Sequence, residues 1–225
     1  MSRRFAIDVP DYMVTSNPVH LLVWTEHGVG PVSEAMRFLQ GTAARDHNRG
    51  TGRRGAFWSD RYHPTLVQSG VHLARCLFYV DLNMVRARAV THPAEWPACG
   101  YHELTGRRQR YRVVNLDRLL WCLEMPGRLA DFRTWYQATV DDMASSAYRL
   151  REPVWSESVA VGSQAWVESI ASGIVVGRKT VVPAGALPGT GAGVAQDGVT
   201  YGLHVSRRVF DPLQDGAPAA LADKT

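Results

Sequence analysis

The chain has 225 residues, 45% of them apolar, enough to bury a sizeable core and too apolar for a disordered or fibrous class. Its formal charge of +4 and pI near 9.1 are only mildly basic, so an argument for a nucleic-acid partner must rest on where the arginines lie. No run approaches eighteen unbroken apolar residues, which excludes a helical membrane span.

Asp8, Pro10 and Asp11 interrupt the apolar stretch behind Arg3-Arg4, so no secretory signal is read there. Cys76, Cys99 and Cys122 are widely spaced and odd in number, which argues against a disulfide framework or a zinc knuckle and for a reducing compartment. The expectation is a soluble, cytoplasmic protein without a membrane partner.

In chain order, Phe5 to Thr15 predicts a strand around Pro10, and Val19 to Thr25 predicts a second, almost wholly apolar one. Ser16-Asn17-Pro18 between them is turn chemistry, so a hairpin is expected. Because the second run is apolar on both faces, it belongs inside a sheet covered by helices. Val32 to Asn48 places Val32, Ala35, Met36 and Leu39 at helical spacing, with Ser33 as N-cap. Gly50 to Gly55 ends that helix. Ala56-Phe57-Trp58 and Tyr62 to Val67 read as extended, bent at Ser59-Asp60. From Gly70, the positions Leu73, Cys76, Leu77, Val80 and Met84 predict a second amphipathic helix that includes Tyr79 and Asn83. Pro93 and Pro97 close the regular region in a loop.

Tyr111 to Leu116 suits a strand, while Asp117 to Leu123, Leu129 to Met143 and Trp155 to Ile170 suit helices. From Val181 the composition turns to Gly, Pro and Ala, which predicts irregular chain apart from a short strand at Val199 to Val209. No internal repeat is present. The organisation expected is a domain over residues 1–112, a helical extension over 113–175 and a largely irregular tail over 176–225.

The arginines cluster. Arg45, Arg49, Arg53 and Arg54 share one polar, glycine-bearing stretch, and Arg107, Arg108, Arg110 and Arg112 form a second run. Solvated loops and phosphate contacts are equally good readings of both. Two histidines flanking one hydrophobic residue on a strand would point to the same face and could hold one divalent metal. Here His20 fills the second of those positions and Pro18, which has no ligand atom, the first. Standing alone, His20 fits a structural role.

Tyr79 and Asn83, four apart on a helical pattern, would bring a hydroxyl and an amide oxygen to one point. A tyrosine can attack a phosphodiester when a metal stabilises the developing charge, and an amide oxygen suits Mg²⁺ or Mn²⁺. In isolation the pair is weak, since Tyr79 could simply pack in a core. Arg61 could touch a DNA phosphate or stack beside Trp58. Trp58 and Phe57 could stack on unpaired bases or fill a core. Tyr62 is an alternative nucleophile, but it lacks a helical Asn partner. His63, His72 and His102 show no ligand spacing, and Trp96, Trp121, Trp135, Trp155 and Trp166 read as packing residues.

Three motifs in order carry a resemblance. Asp11-Tyr12-Met13-Val14-Thr15-Ser16-Asn17-Pro18-Val19-His20-Leu21-Leu22-Val23, Gly55-Ala56-Phe57-Trp58-Ser59-Asp60-Arg61-Tyr62-His63 and Leu77-Phe78-Tyr79-Val80-Asp81-Leu82-Asn83-Met84-Val85-Arg86 resemble the single-tyrosine HUH transposases, in particular the REP-associated tyrosine transposase branch of the IS200-like group. Glu95-Trp96-Pro97 with Gly100-Tyr101 resembles the stretch that closes the family domain. Arg151 to Ser158 with Val161-Gly162-Ser163 resembles the C-terminal extension of one bacterial subgroup.

The resemblance implies an α+β fold, a ferredoxin-like antiparallel sheet with helices packed on it. It implies cleavage and rejoining of single-stranded or hairpin DNA through a 5′-phosphotyrosine link, by a monomer or homodimer. Tyr79 would be the nucleophile, His20 and Asn83 ligands of Mg²⁺ or Mn²⁺, and Arg45, Arg49, Arg53, Arg54, Arg61 and Trp58 DNA contacts. Two departures carry expectations. Pro18 stands where the family has a ligand, which weakens the metal site and shifts the strand ladder. Only Met1 to Arg4 precede the segment matching Phe5 to Val14, where the family usually has a strand and a helix. The sheet is therefore expected to have an unpaired edge, as in a decayed copy or one whose start is assigned too far downstream. The rival readings are a nucleic-acid-binding remnant without cleavage and a pseudogene product that folds poorly.

Overall fold

A computed structural model describes residues 2–16, 18–146, 151–173, 179–184 and 200–205. Its class is α+β. After a short helix α1 (Ser2–Phe5), strands β1 (Asp8–Val14) and β2 (Val19–Trp24) form an antiparallel hairpin, with Val14 opposite Val19 and Met13 opposite His20. The first predicted strand is thus shorter than expected, because Phe5 is helical and its ring packs on Phe38, with centroids 5.5 Å apart. Pro10 lies where the register shifts between Asp8 and Asp11. A bulge there spares the ladder a residue with no N–H to donate.

Pro18 sits exposed ahead of β2, so the ladder begins one residue after it and is not displaced by it. Thr15 Oγ1 donates to the Pro18 carbonyl and closes the turn. The outer edge of β1 is covered by loop backbone: Val14 N–H donates to Ala98 O at 2.9 Å, Gly100 N–H to Tyr12 O at 2.7 Å and Asn115 N–H to Val9 O at 2.9 Å. Among the described residues β2 pairs only with β1, leaving its other edge open. All six of its residues are half-buried, so β2 is not the doubly covered strand that its apolar composition predicted.

Helix α2 (Val29–Thr51) starts earlier than Ser33 and ends at Gly52, whose φ of 68° makes the left-handed C-cap. Its N-cap is Gly28, and Pro31 fits the first turn, where the missing N–H costs nothing. The segment after it is irregular except for β3 (Leu66–Val67). Helix α3 (Val71–Asp81) is buried along nearly its whole length and contacts β1. Leu82 ends it, and Asn83 opens a separate turn α4 (Asn83–Arg86), so Tyr79 and Asn83 are not on one unbroken helix.

Helices α5 (Tyr101–Leu104), α6 (Leu116–Cys122) and α7 (Leu129–Ser145) follow. The predicted strand at Tyr111 to Leu116 is an irregular crossing. Val113 and Val114 give their N–H groups there to buried Glu103, each at 2.8 Å. The helix expected over Trp155 to Ile170 is split into α8 (Val154–Glu157) and α9 (Gln164–Gly173) by strand β4 (Ala160–Gly162). A second sheet has the order β3-β4-β6-β5, with β5 (Lys179–Ala184) antiparallel to β6 (Thr200–Val205). Much of the tail predicted to be irregular lies outside the described residues.

One core runs through Met13, Leu77, Phe78, Leu104, Leu119, Phe132, Tyr136, Val140, Trp155 and Val161. It draws on both sides of residue 112. Phe78, Phe132, Tyr101 and Tyr136 form its aromatic centre, with ring centroids 5.4 to 5.9 Å apart around Tyr136. Such pairs add to the area they bury.

Candidate functional site

Two motif halves far apart in sequence meet here. His20 points from β2 toward the start of α4, where its Nε2 lies 3.1 Å from Asn83 Nδ2. Burial holds the His20 imidazole below its ordinary pKa, and the charge of Arg86 lowers it further. His20 is therefore neutral at pH 7, with a nitrogen free to accept or ligate.

Tyr79 faces differently from the expected convergence. It is 6% exposed, with the Arg86 guanidinium carbon 3.8 Å from its ring centroid and the Trp155 ring 6.1 Å away, tilted at 36°. The break at Leu82 turns Asn83 toward β2 while Tyr79 stays under the C-terminal segment. Arg86 Nη1 and Nη2 are buried without a hydrogen-bond partner among the described residues, and burial lowers its pKa, opposed first by Tyr79 and then by Glu152. Glu152 accepts from Trp155 Nε1 at 2.9 Å and is itself raised by burial, with Arg75 and Arg86 acting against that.

Arg86, Glu152 and Trp155 were not among the sequence-derived candidates. Arg86 could have been found, because it lies seven residues after Tyr79 and so on the same helical side. Glu152 and Trp155 could not, since nothing local ties them to Tyr79.

The donor set decides how well the expected metal fits. His20 and Asn83 offer one imidazole nitrogen and one amide oxygen, both neutral, with the Arg86 cation close enough to depress the imidazole pKa. Among the described residues no group of three or more His, Cys, Asp or Glu could hold a metal ion. Mg²⁺ is ordinarily held through carboxylates and phosphates. Among the described residues the pair therefore brings no anionic donor of the kind that holds Mg²⁺ or Mn²⁺ tightly.

The expected DNA contacts separate into two kinds. Arg45 and Arg49 are exposed on α2, and Arg53 and Arg54 are exposed just beyond its C-cap. Trp58 is a packing residue: its Nε1 donates to Gln40 O at 2.9 Å and its ring meets Phe57 edge-on at 4.8 Å. Arg61 lies with Ser33, Glu34, Arg37, Gln40 and Tyr62 along an open cleft of about 560 Å³. Ser33, expected to cap the helix, instead bonds the Tyr62 hydroxyl at 2.8 Å. Burial would raise that hydroxyl, but its bonds with Ser33 and Arg61, and the Arg61 charge, lower it on balance.

Fold and site together define an α+β protein with a His–Asn pair next to a buried Tyr–Arg pair. No family model, no curated protein and no solved structure matches the chain. No helix among the described residues is long and apolar enough to cross a membrane.

Proposed function

We propose that this chain is a transposase-type protein of the single-tyrosine HUH class, acting on single-stranded or hairpin DNA. The observation that carries the reading is the 3.1 Å contact between His20 and Asn83 across sixty-three positions. That pairing joins the two motifs which the resemblance assigns to one site. The hairpin with α3 packed on it is compatible with part of a ferredoxin-like sheet, which belongs to the same proposal.

In the proposed reaction Tyr79 Oη forms a bond to phosphorus and the P–O3′ bond breaks. A 5′-phosphotyrosine and a free 3′-hydroxyl result, the tyrosine proton ending on the 3′ oxygen. Arg86 is the cation nearest the nucleophile, and its unpartnered Nη atoms would bind a phosphate oxygen pair. No step is routed through a metal. Tyr79 is only 6% exposed, so a phosphodiester reaches its hydroxyl only when the chain packed around it opens.

Incubation with a labelled single-stranded hairpin, with Mn²⁺ or with EDTA, is expected to give a denaturation-resistant protein–DNA adduct that Tyr79→Phe abolishes. Adduct formation in Tyr79→Phe would sink the assignment. Pro18→His adds an imidazole two residues before His20. It is expected to tighten Mn²⁺ binding on the order of 10- to 100-fold, read by titration calorimetry. Unchanged Mn²⁺ affinity would show that residue 18 does not face the His20 site.

A second reading, binding without cleavage, is favoured by the burial of Tyr79. Salt-dependent binding without any adduct would select it.

A further inference from the structure

The second arginine run has no part in the site above. Gln109, Arg110, Tyr111, Arg112 and Val113 are exposed, and Tyr111 is 96% exposed, so this phenol ring contacts almost nothing of its own chain. Its φ of 55° is a left-handed conformation that an aromatic residue seldom adopts. An isolated exposed tyrosine would mean little, but this one is presented by a built loop.

On one side Arg108 donates to the Tyr12 hydroxyl at 2.6 Å and to Pro97 O at 2.5 Å, and Arg107 stacks 5.4 Å from the Tyr101 centroid. On the other, the Val113 and Val114 N–H groups are held by Glu103, and Asn115 N–H by Val9 O. Both feet are fixed to the buried interior, and the tip carries its ring and charges outward.

Those charges are uncompensated. Among the described residues the ion pairs use Arg108 with Glu103 from this run, and none uses Arg107, Arg110 or Arg112. An exposed ring between two exposed guanidiniums matches one chemistry well: a flat base to stack on, with phosphates on either side. A duplex hides its base faces, and an acidic peptide or an anionic lipid headgroup offers charge but no flat face for the ring to stack on.

We propose that residues 107–113 form a single-stranded nucleic-acid binding loop, with Tyr111 stacking on an unpaired base and Arg110 and Arg112 contacting its flanking phosphates. This holds whether or not Tyr79 cuts DNA, and so deepens the partner assignment without depending on catalysis.

The test is fluorescence anisotropy of the full chain with a labelled oligothymidylate, an oligouridylate of equal length and a duplex of equal length. Tyr111→Ala is expected to weaken single-strand binding roughly 5- to 100-fold, with Tyr111→Phe near wild type and duplex binding unmoved. Arg110→Gln and Arg112→Gln should each reduce the slope of log affinity against log salt by about 0.7. Tyr111 supports no packing, so the thermal midpoint of Tyr111→Ala should equal that of wild type. A thymidylate carrying 5-iodouracil should photo-cross-link to Tyr111. Tighter binding of the thymidylate assigns DNA and of the uridylate RNA, and either upholds the loop.

Equal single-strand affinity in Tyr111→Ala and wild type would overturn the proposal. So would cross-links mapping elsewhere, or tighter Tyr111-dependent binding to anionic vesicles than to either oligomer. Tyr111-dependent binding without any adduct would remove the cleavage reading alone, and an adduct with Tyr111-independent binding would remove the loop alone.

Discussion

Between pH 5 and pH 8 the folded chain is expected to lose stability, and Asp81→Asn is expected to remove most of that loss. Asp81 is fully buried on α3, with Oδ2 accepting from Tyr136 and Oδ1 without a hydrogen-bond partner among the described residues. Burial pushes its carboxyl up to about 7, with the Tyr136 hydroxyl bond pulling the other way. Asp11, also fully buried, is raised well above the carboxylate range by burial and by the nearby Asp81 charge.

A carboxyl with a folded pKa above its unfolded one favours the folded state at low pH. That contribution is complete below about 4 and is lost as pH rises through the folded value of about 7. At about 1.4 kcal/mol per pKa unit, Asp81 alone makes the full swing about 4 kcal/mol, of which roughly 3 kcal/mol falls between pH 5 and pH 8. Urea denaturation at pH 5 and pH 8, on wild type and Asp81→Asn, measures it. Wild-type stability that rises over this window would show that Asp81 is ionised and compensated in the fold.

The second large effect is expected at Gly100. A Cβ there would lie 1.9 Å from Asp11 Oδ1 and 3.3 Å from the Tyr12 amide nitrogen. Asp11 cannot swing to solvent, because it is fully buried, and Gly100 cannot retreat without giving up its 2.7 Å bond to Tyr12 O. Gly100→Ala should therefore cost about 3 kcal/mol or more, the upper range for overpacking. Gly50 is the control. It lies in the last turn of α2 with nothing near its added Cβ, and Gly50→Ala should gain about 0.5 to 1 kcal/mol from helix propensity. Denaturation midpoints of the two variants should move in opposite directions; equal shifts would mean that the 98–100 loop is not seated on β1.

The hairpin was legible because turn residues and short apolar, β-prone runs act locally, and its two strands pair in the predicted sense. The meeting of His20 and Asn83 was legible only through motif order, since spacing says nothing about which strand a helix will face. What stayed hidden depends on distant chain. Trp155 reaches Tyr79, and Glu152 its neighbour Arg86, from more than sixty residues away, so the setting of the tyrosine could not be read from its neighbours. The helix predicted over Trp155 to Ile170 had the right period, but Ala160 to Gly162 pair with β3 and β6, and tertiary pairing outweighs helix propensity. Gly162 suits that strand for a reason of space, because a Cβ would come within 2.5 Å of the Trp166 ring. Ser33 had the chemistry of a cap, yet Gly28 and Pro31 set the helix start earlier.

The parallel pairing of β3 with β4 also determines how the molecule can come apart. Leu66 N–H donates to Val159 O at 2.8 Å, Gln68 N–H to Val161 O at 2.9 Å and Thr65 Oγ1 to Ser158 O at 2.6 Å, immediately before the helix that carries Tyr79. The same downstream segment lays Trp155 over that tyrosine. Helix α3 is thus gripped at its start and along its flank by chain that follows residue 150. The tyrosine helix and the C-terminal extension should melt together in one transition, and any event that loosens the extension reaches Tyr79 directly.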